Sequence, residues 1–184
     1  MEEAAGDVRC EVLSKEPAQY VGHISKEIGA IPELERGFSQ VHHLGSTVSD
    51  HSFHVAIICA SIGAKVEKFS SSFSTRELVR AALLHDLGVV GNRGKSLKEL
   101  GGRPLAFYHP SESVRIASAR VTLTEKEKNA IESHMWPLST CAPRSAEAVV
   151  LCIVDKVTAV SEIFGYEAPP CATGGEGVEG RPGP

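Results

Sequence analysis

The segment Leu78-Val79-Arg80-Ala81-Ala82-Leu83-Leu84-His85-Asp86 runs an apolar stretch directly into two side chains that prefer water to a protein interior. Ser74 and Glu77, just upstream, form an S-x-x-E capping box that predicts the start of a helix. On that helix Leu78, Ala81, Ala82 and His85 share one face, so His85 points inward with the aliphatic residues. An imidazole and a carboxylate are costly to bury unless they coordinate something. The chain supplies candidate partners in His51, His109, His134 and Asp155, each beside a helix-like segment.

Working outward, most periodic segments read as helices. Pro17 starts one that runs to about Ile28, and a second spans roughly Pro32 to Val41. From about Ser49 to Val66, His51, Val55, Ile58 and Ile62 recur at spacings of four, three and four, which is one helical face. Pro110 suits the first turn of another helix, with His109 at its entrance. Thr124 and Glu127 form a second capping box, opening a helix in which Ile131 and His134 share a face and which Pro137 ends. The last helix runs from about Ser145 to Phe164 and places Asp155 on the apolar stripe of Leu151 and Ala159. Gly88 to Pro110, rich in glycine and carrying Arg93, Lys95, Lys98 and Arg103, reads mainly as a loop. There is no internal repeat and no convincing run of alternating strands. The prediction is an all-α, single-domain helical bundle over residues 17–166, with an N-terminal extension at 1–16 and a Gly/Pro-rich disordered tail at 167–184.

Composition narrows the setting. A chain of 184 residues is long enough for one domain with a sizeable core. The net charge of −4 leaves no overall basic footprint, so nucleic acid is not an expected partner. No apolar stretch approaches bilayer length, and the acidic start Met1-Glu2-Glu3 lacks the apolar core of a signal peptide, so no membrane association is expected. Cys10, Cys59, Cys141, Cys152 and Cys171 are odd in number and widely spaced, which fits reduced thiols and a cytoplasmic location. Oligomeric state is left open.

A single histidine on a half-apolar helix face is more often a hydrogen-bonded core residue than a ligand, and His23 and His42 are read that way. His54 lies about a sixth of a turn from the direction of His51, at the surface or behind the site. The joint pattern carries more weight. His51, His85, His134 and Asp155 fall on the apolar faces of four separate helices, which a bundle would bring together, as bundle metal sites do. No cysteine joins the set, which disfavours a structural zinc site. Mixed imidazole and carboxylate ligation suits catalytic iron, manganese, cobalt or zinc. Six potential ligands (His51, His85, Asp86, His109, His134 and Asp155) match two ions with three ligands apiece, Asp86 being the natural bridge. Two ions so placed can share an activated water and clamp a displaced phosphate.

Asp50-His51-Ser52-x-x-Val55-Ala56, Leu83-Leu84-His85-Asp86-Leu87-Gly88 and Val154-Asp155-Lys156 occur in order. Between them lie Tyr108-His109-Pro110 and Glu132-Ser133-His134-Met135-Trp136-Pro137-Leu138. This ordered set resembles the HD-domain superfamily in its six-ligand variant, over roughly His43 to Glu162. The resemblance implies a helical, metal-dependent phosphohydrolase scaffold acting on nucleotides or other small phosphate esters. It carries over His51, His85, Asp86 and Asp155 as core ligands, with His109 and His134 completing a second metal position. His85 and Asp86 are the expected catalytic pair. His43-Leu44-Gly45-Ser46-Thr47 resembles the stretch before the first ligand in small bacterial members, which places His43 and Thr47 at the pocket. Family members often carry a lysine soon after His-Asp-x-Gly. Here Val89-Val90-Gly91-Asn92 follows, and the expected phosphate-binding cations are Arg93, Lys95 and Lys156. Related di-iron oxygenases share the same ligand order, so oxidative chemistry is an alternative. A non-catalytic nucleotide- or metal-binding module is another.

Overall fold

The computed structural model describes residues 16–43 and 46–164, with only the backbone given for Val41–His43. Of the expected extension at 1–16 only Glu16 is described, and the expected tail at 167–184 lies outside the described residues, as do Cys10 and Cys171. The chain is helical, in line with the all-α expectation: α1 (Pro17–Ile28), α2 (Pro32–Gly37), α3 (Val48–Val66), α4 (Thr75–Leu84), α5 (Leu105–Ser118), α6 (Glu125–Ser133) and α7 (Ala146–Ile163). β1 (Val41–His43) and β2 (Ser46–Thr47) form a short antiparallel ribbon ahead of α3. Among the described residues, no helix is long and apolar enough to cross a membrane.

α3 packs along α4 at the centre, and α1, α6 and α7 close around the pair, with α5 against α6. Their shared core includes Ile24, Leu78, Leu83, Leu84, Ile131 and Leu151, all essentially shut off from solvent. Each such side chain contributes about 1.5–3 kcal/mol on burial. Sequence-encoded caps set several helix starts. Thr47 accepts from the Asp50 amide and Asp50 returns a bond to the Thr47 amide, so α3 opens on a capping box. Thr124 and Glu127 do the same for α6.

Four local expectations are corrected. The helix foreseen from Pro32 to Val41 stops at Gly37 and the chain goes on through turns at Phe38 to Gln40, while Gly37 packs against α3, where a Cβ would overlap Ser49 Oγ. The following turn then delivers Val41 into the ribbon rather than into more helix. The box at the start of α4 is half of one. Ser74 caps Glu77, but the Ser74 amide donates to the buried Glu147 of α7 at 2.8 Å instead of to Glu77. The helix carrying His109 begins a full turn earlier than Pro110, at Leu105, so the loop after Asp86 is shorter than foreseen and Pro110 lies within α5. Lastly, the helix expected to run to Pro137 ends at Ser133 with His134 as its closing residue, whereas His85 closes α4 at the end of the apolar run, as expected.

Candidate metal centre

Four histidine rings arrive at one point from four elements, and each is oriented from behind. His85, closing α4, has Nδ1 2.7 Å from the Ala82 carbonyl. His134, closing α6, has Nδ1 2.7 Å from the Ile131 carbonyl. In α5 the His109 Nδ1 lies 2.9 Å from the Leu105 carbonyl. His51, in the first turn of α3, has Nδ1 3.0 Å from Glu162 Oε2 on α7. A carbonyl or carboxylate accepts only from N–H, so these partners place the proton on Nδ1 and turn each Nε2 lone pair inward. Helix termini help, since free carbonyls in the last turn are what His85 and His134 bond.

Six donor residues meet there. Asp155 Oδ1 is 3.1 Å from His51 Nε2 and 3.5 Å from His85 Nε2. Asp86 Oδ1 is 3.3 Å from His109 Nε2 and 3.7 Å from His134 Nε2, while its other oxygen lies 3.6 Å from His85 Nε2. Two buried groups therefore adjoin and share His85: His51/His85/Asp155 and His85/Asp86/His134, with His109 Nε2 joining the second through Asp86 (3.3 Å) and His134 (2.8 Å). Gly88 holds the two halves together. Its amide donates to Ser113 Oγ at 2.8 Å, and a Cβ there would overlap the His109 carbonyl oxygen. Only glycine lets the turn after Asp86 lie this close to α5.

Electrostatics follow from crowding. Burial works against charge on His51, but the hydrogen bonds it donates to Asp155 and Glu162, with the nearby Asp86, hold its pKa up to about 10. His85 is likewise opposed by burial and raised by Asp86 and Asp155. His134, buried and facing the charges of His85 and His109, is pushed down to about 3. Burial would raise the Asp155 pKa, yet its hydrogen bond to His51 and the nearby charge of His85 keep it well below the usual carboxylate range.

The donor set fits divalent cations. His109 and His134 bring their Nε2 atoms to 2.8 Å, although both Nδ1 atoms already carry the proton for a carbonyl. Two lone pairs at that distance repel unless something positive lies between them. Nitrogens about 2.0–2.1 Å from one ion sit roughly 3 Å apart at right angles, so a divalent cation suits this spacing. His85 Nε2 is buried without a hydrogen-bond partner among the described residues. A buried imidazole nitrogen left without one is costly in a protein without a ligand for it.

The six residues expected as ligands are thus all brought together. The expected substrate contacts divide. Arg93 and Lys156 line a cavity of about 600 Å³ that opens onto Asp86, His109, His134 and Asp155. Lys156 Nζ also donates to the carbonyls of His134 (2.6 Å) and Cys152 (3.1 Å), pinning the end of α6 to α7. Lys95 is exposed and bonds Asn92 Oδ1 at 2.8 Å, away from that lining. Thr47 spends its hydroxyl on Asp50 as the α3 cap, and the His43 side chain lies outside the described part of the structure. A second cavity of about 690 Å³, beside Arg103 and Cys141, touches none of the six ligands. Sequence reasoning missed Glu162. It follows Asp155 by seven residues, two helical turns further along the same buried face, and that spacing was the available signal.

Comparison with known proteins adds one match. No curated protein and no solved structure matches the chain. The family model described as HD domain matches residues 48–160, a span that opens with α3 and ends within α7 and so contains every one of the six donors. The chain belongs to the HD-domain family.

Proposed function

We propose that this chain is a metal-dependent hydrolase of small phosphate esters working with two divalent ions. His51, His85 and Asp155 would hold one ion, and Asp86, His109 and His134 the other, with Asp86 between them. The observation that carries this reading is the gathering of six donors into two adjoining groups, linked through His85 and Asp86, beside a cavity whose lining includes Arg93 and Lys156. Bound divalent ions of this kind make water acidic enough to act as a nucleophile near neutral pH and draw in phosphoryl oxygens.

The chain's own groups have separate tasks. The Ala82, Leu105 and Ile131 carbonyls and Glu162 fix the imidazole tautomers, so all four Nε2 atoms act as donors without rearrangement. Arg93 and Lys156, at the cavity wall, offset phosphate charge and orient the ester. The chemistry of the donor set suits iron, manganese, cobalt or zinc.

Chelator-stripped protein reloaded with each metal in turn, and presented with nucleotides, sugar phosphates, alkyl phosphates and an aryl phosphate, tests the reading. Metal-dependent phosphate release that Asp86→Ala abolishes is the expected result. Turnover that requires dioxygen and iron would overturn it in favour of oxidative chemistry.

A further inference from the structure

The wall of the cavity beside the candidate ligands is apolar. Val89, Leu105, Met135, Leu138 and Val160 supply its large side chains. Every other lining residue is an alanine, one of the six ligands, or one of the cations Arg93 and Lys156. Among the described residues, no serine, threonine, tyrosine, asparagine or glutamine lines it. Pockets that select bases or sugars use such groups, because a bound ring nitrogen or hydroxyl left without a partner loses its bond to water. At about 600 Å³ the space suits an organic group of the size small-molecule sites enclose, not a bare phosphate.

Polarity in this cavity is confined to its floor and to two cations. At the lining itself Leu138 is 55% exposed and Val160 52% exposed, and Val157 and Phe164, three residues before and four after Val160, are exposed apolar side chains as well. A substrate with a charged head and a water-avoiding body matches this distribution, head toward the donors and body along the wall.

We propose that the substrate is a phosphomonoester of an apolar alcohol, an aliphatic chain being the body that the wall receives. The proposal rests on the phosphoester reading above and narrows it. Hydrolysis breaks the bond between phosphorus and the alcohol oxygen. Water gives its oxygen to phosphorus, one of its protons passes to the departing alkoxide, and the products are inorganic phosphate and the free alcohol. The alcohol keeps its contacts with the wall until it leaves.

Two measurements separate this proposal from the reading beneath it. In the first, kcat/KM for phosphate release is measured on the metal-loaded protein with ethyl, butyl, hexyl and octyl phosphate, and with adenosine and uridine monophosphates. In the second, calorimetry follows binding of the matching alkylphosphonates, which cannot be hydrolysed at that bond. Both quantities rise roughly three- to fourfold per methylene until the cavity is full, with a negative heat-capacity change of binding. Leu138→Asn and Val160→Asn, at sites already half exposed, each flatten that slope. Phosphonate binding that steepens with chain length, with no phosphate released from any ester, would sink the hydrolase reading and leave the apolar pocket standing. Chain-length-independent binding, or nucleotides processed better than octyl phosphate, would overturn the proposal.

Discussion

Glu162 stands behind His51, its Oε2 3.0 Å from His51 Nδ1, while His51 Nε2 faces Asp155 on the other side at 3.1 Å. Both carboxylates belong to α7, so one helix supplies a donor to the centre and the group that orients a second donor. A carboxylate behind a ligating histidine raises its basicity and fixes its ring. Glu162→Gln keeps the size of the side chain and removes the charge. We expect metal affinity to fall roughly ten- to hundredfold with the fold intact, read by competitive chelator titration alongside circular dichroism. Unchanged affinity would mean that Glu162 serves packing alone.

The two triads predict different ion counts for different variants. His134→Ala removes a donor from the triad shared with His109, and His51→Ala removes one from the triad shared with His85. Elemental analysis of wild-type protein should find two ions per chain under the proposed reading. Each variant should retain about one, by loss of a site that needs all three protein ligands. One ion in the wild type, lost in His51→Ala and kept in His134→Ala, would reassign His109 and His134 to substrate contact.

Acidity makes a prediction of its own sign. Folding raises the His51 pKa from 6.5 to about 10 in the metal-free chain, so the folded state holds a proton that the unfolded state gives up. The stabilisation from that proton is complete below pH 6.5 and is lost as pH climbs toward 10. His85 is shifted in the same direction. His134, held down to about 3, acts oppositely and only below its ordinary value of 6.5. With chelator present, the urea midpoint should decline from pH 7 toward pH 10, and His51→Ala should weaken the decline. Added metal displaces the proton, so its apparent affinity should grow over the same range.

Gly88 offers a mechanical test. A methyl group there meets the His109 carbonyl and comes within 2.9 Å of the Ser113 amide, so α5 must move away from Asp86. Gly88→Ala should lower unfolding free energy by about 1–3 kcal/mol and weaken the ion held by Asp86, His109 and His134 more than the other. Denaturant melts and ion counts on the same preparation check both halves. Equal loss at the two positions would show that the turn matters only to general stability.

Much of this molecule could be read along the chain because its signals are local. Thr124 with Glu127, Ser145 before α7, and the stripe shared by Leu78, Ala81 and Ala82 each depend on neighbours within one or two turns. Four of the six candidate ligands, His51, His85, His134 and Asp155, were legible for the same reason, as polar residues set on apolar faces, while Asp86 was found as the neighbour of His85 and His109 at a helix entrance. Local reasoning failed where a distant partner intervened. The Ser74 amide went to Glu147, seventy-three positions away, instead of to Glu77. Gly37 packs where a side chain would meet Ser49, twelve positions on, a constraint that no neighbour of Gly37 reveals.

By itself the sequence determined which side chains turn inward and that they suit a metal, since helical period and residue chemistry travel with the chain. Only the tertiary structure decided how the donors divide into two sets, that Glu162 stands behind His51, and that the cavity above them is apolar. Those properties depend on the packing of α3, α4, α5, α6 and α7 against one another, which sets distances between residues as far apart as His51 and Glu162.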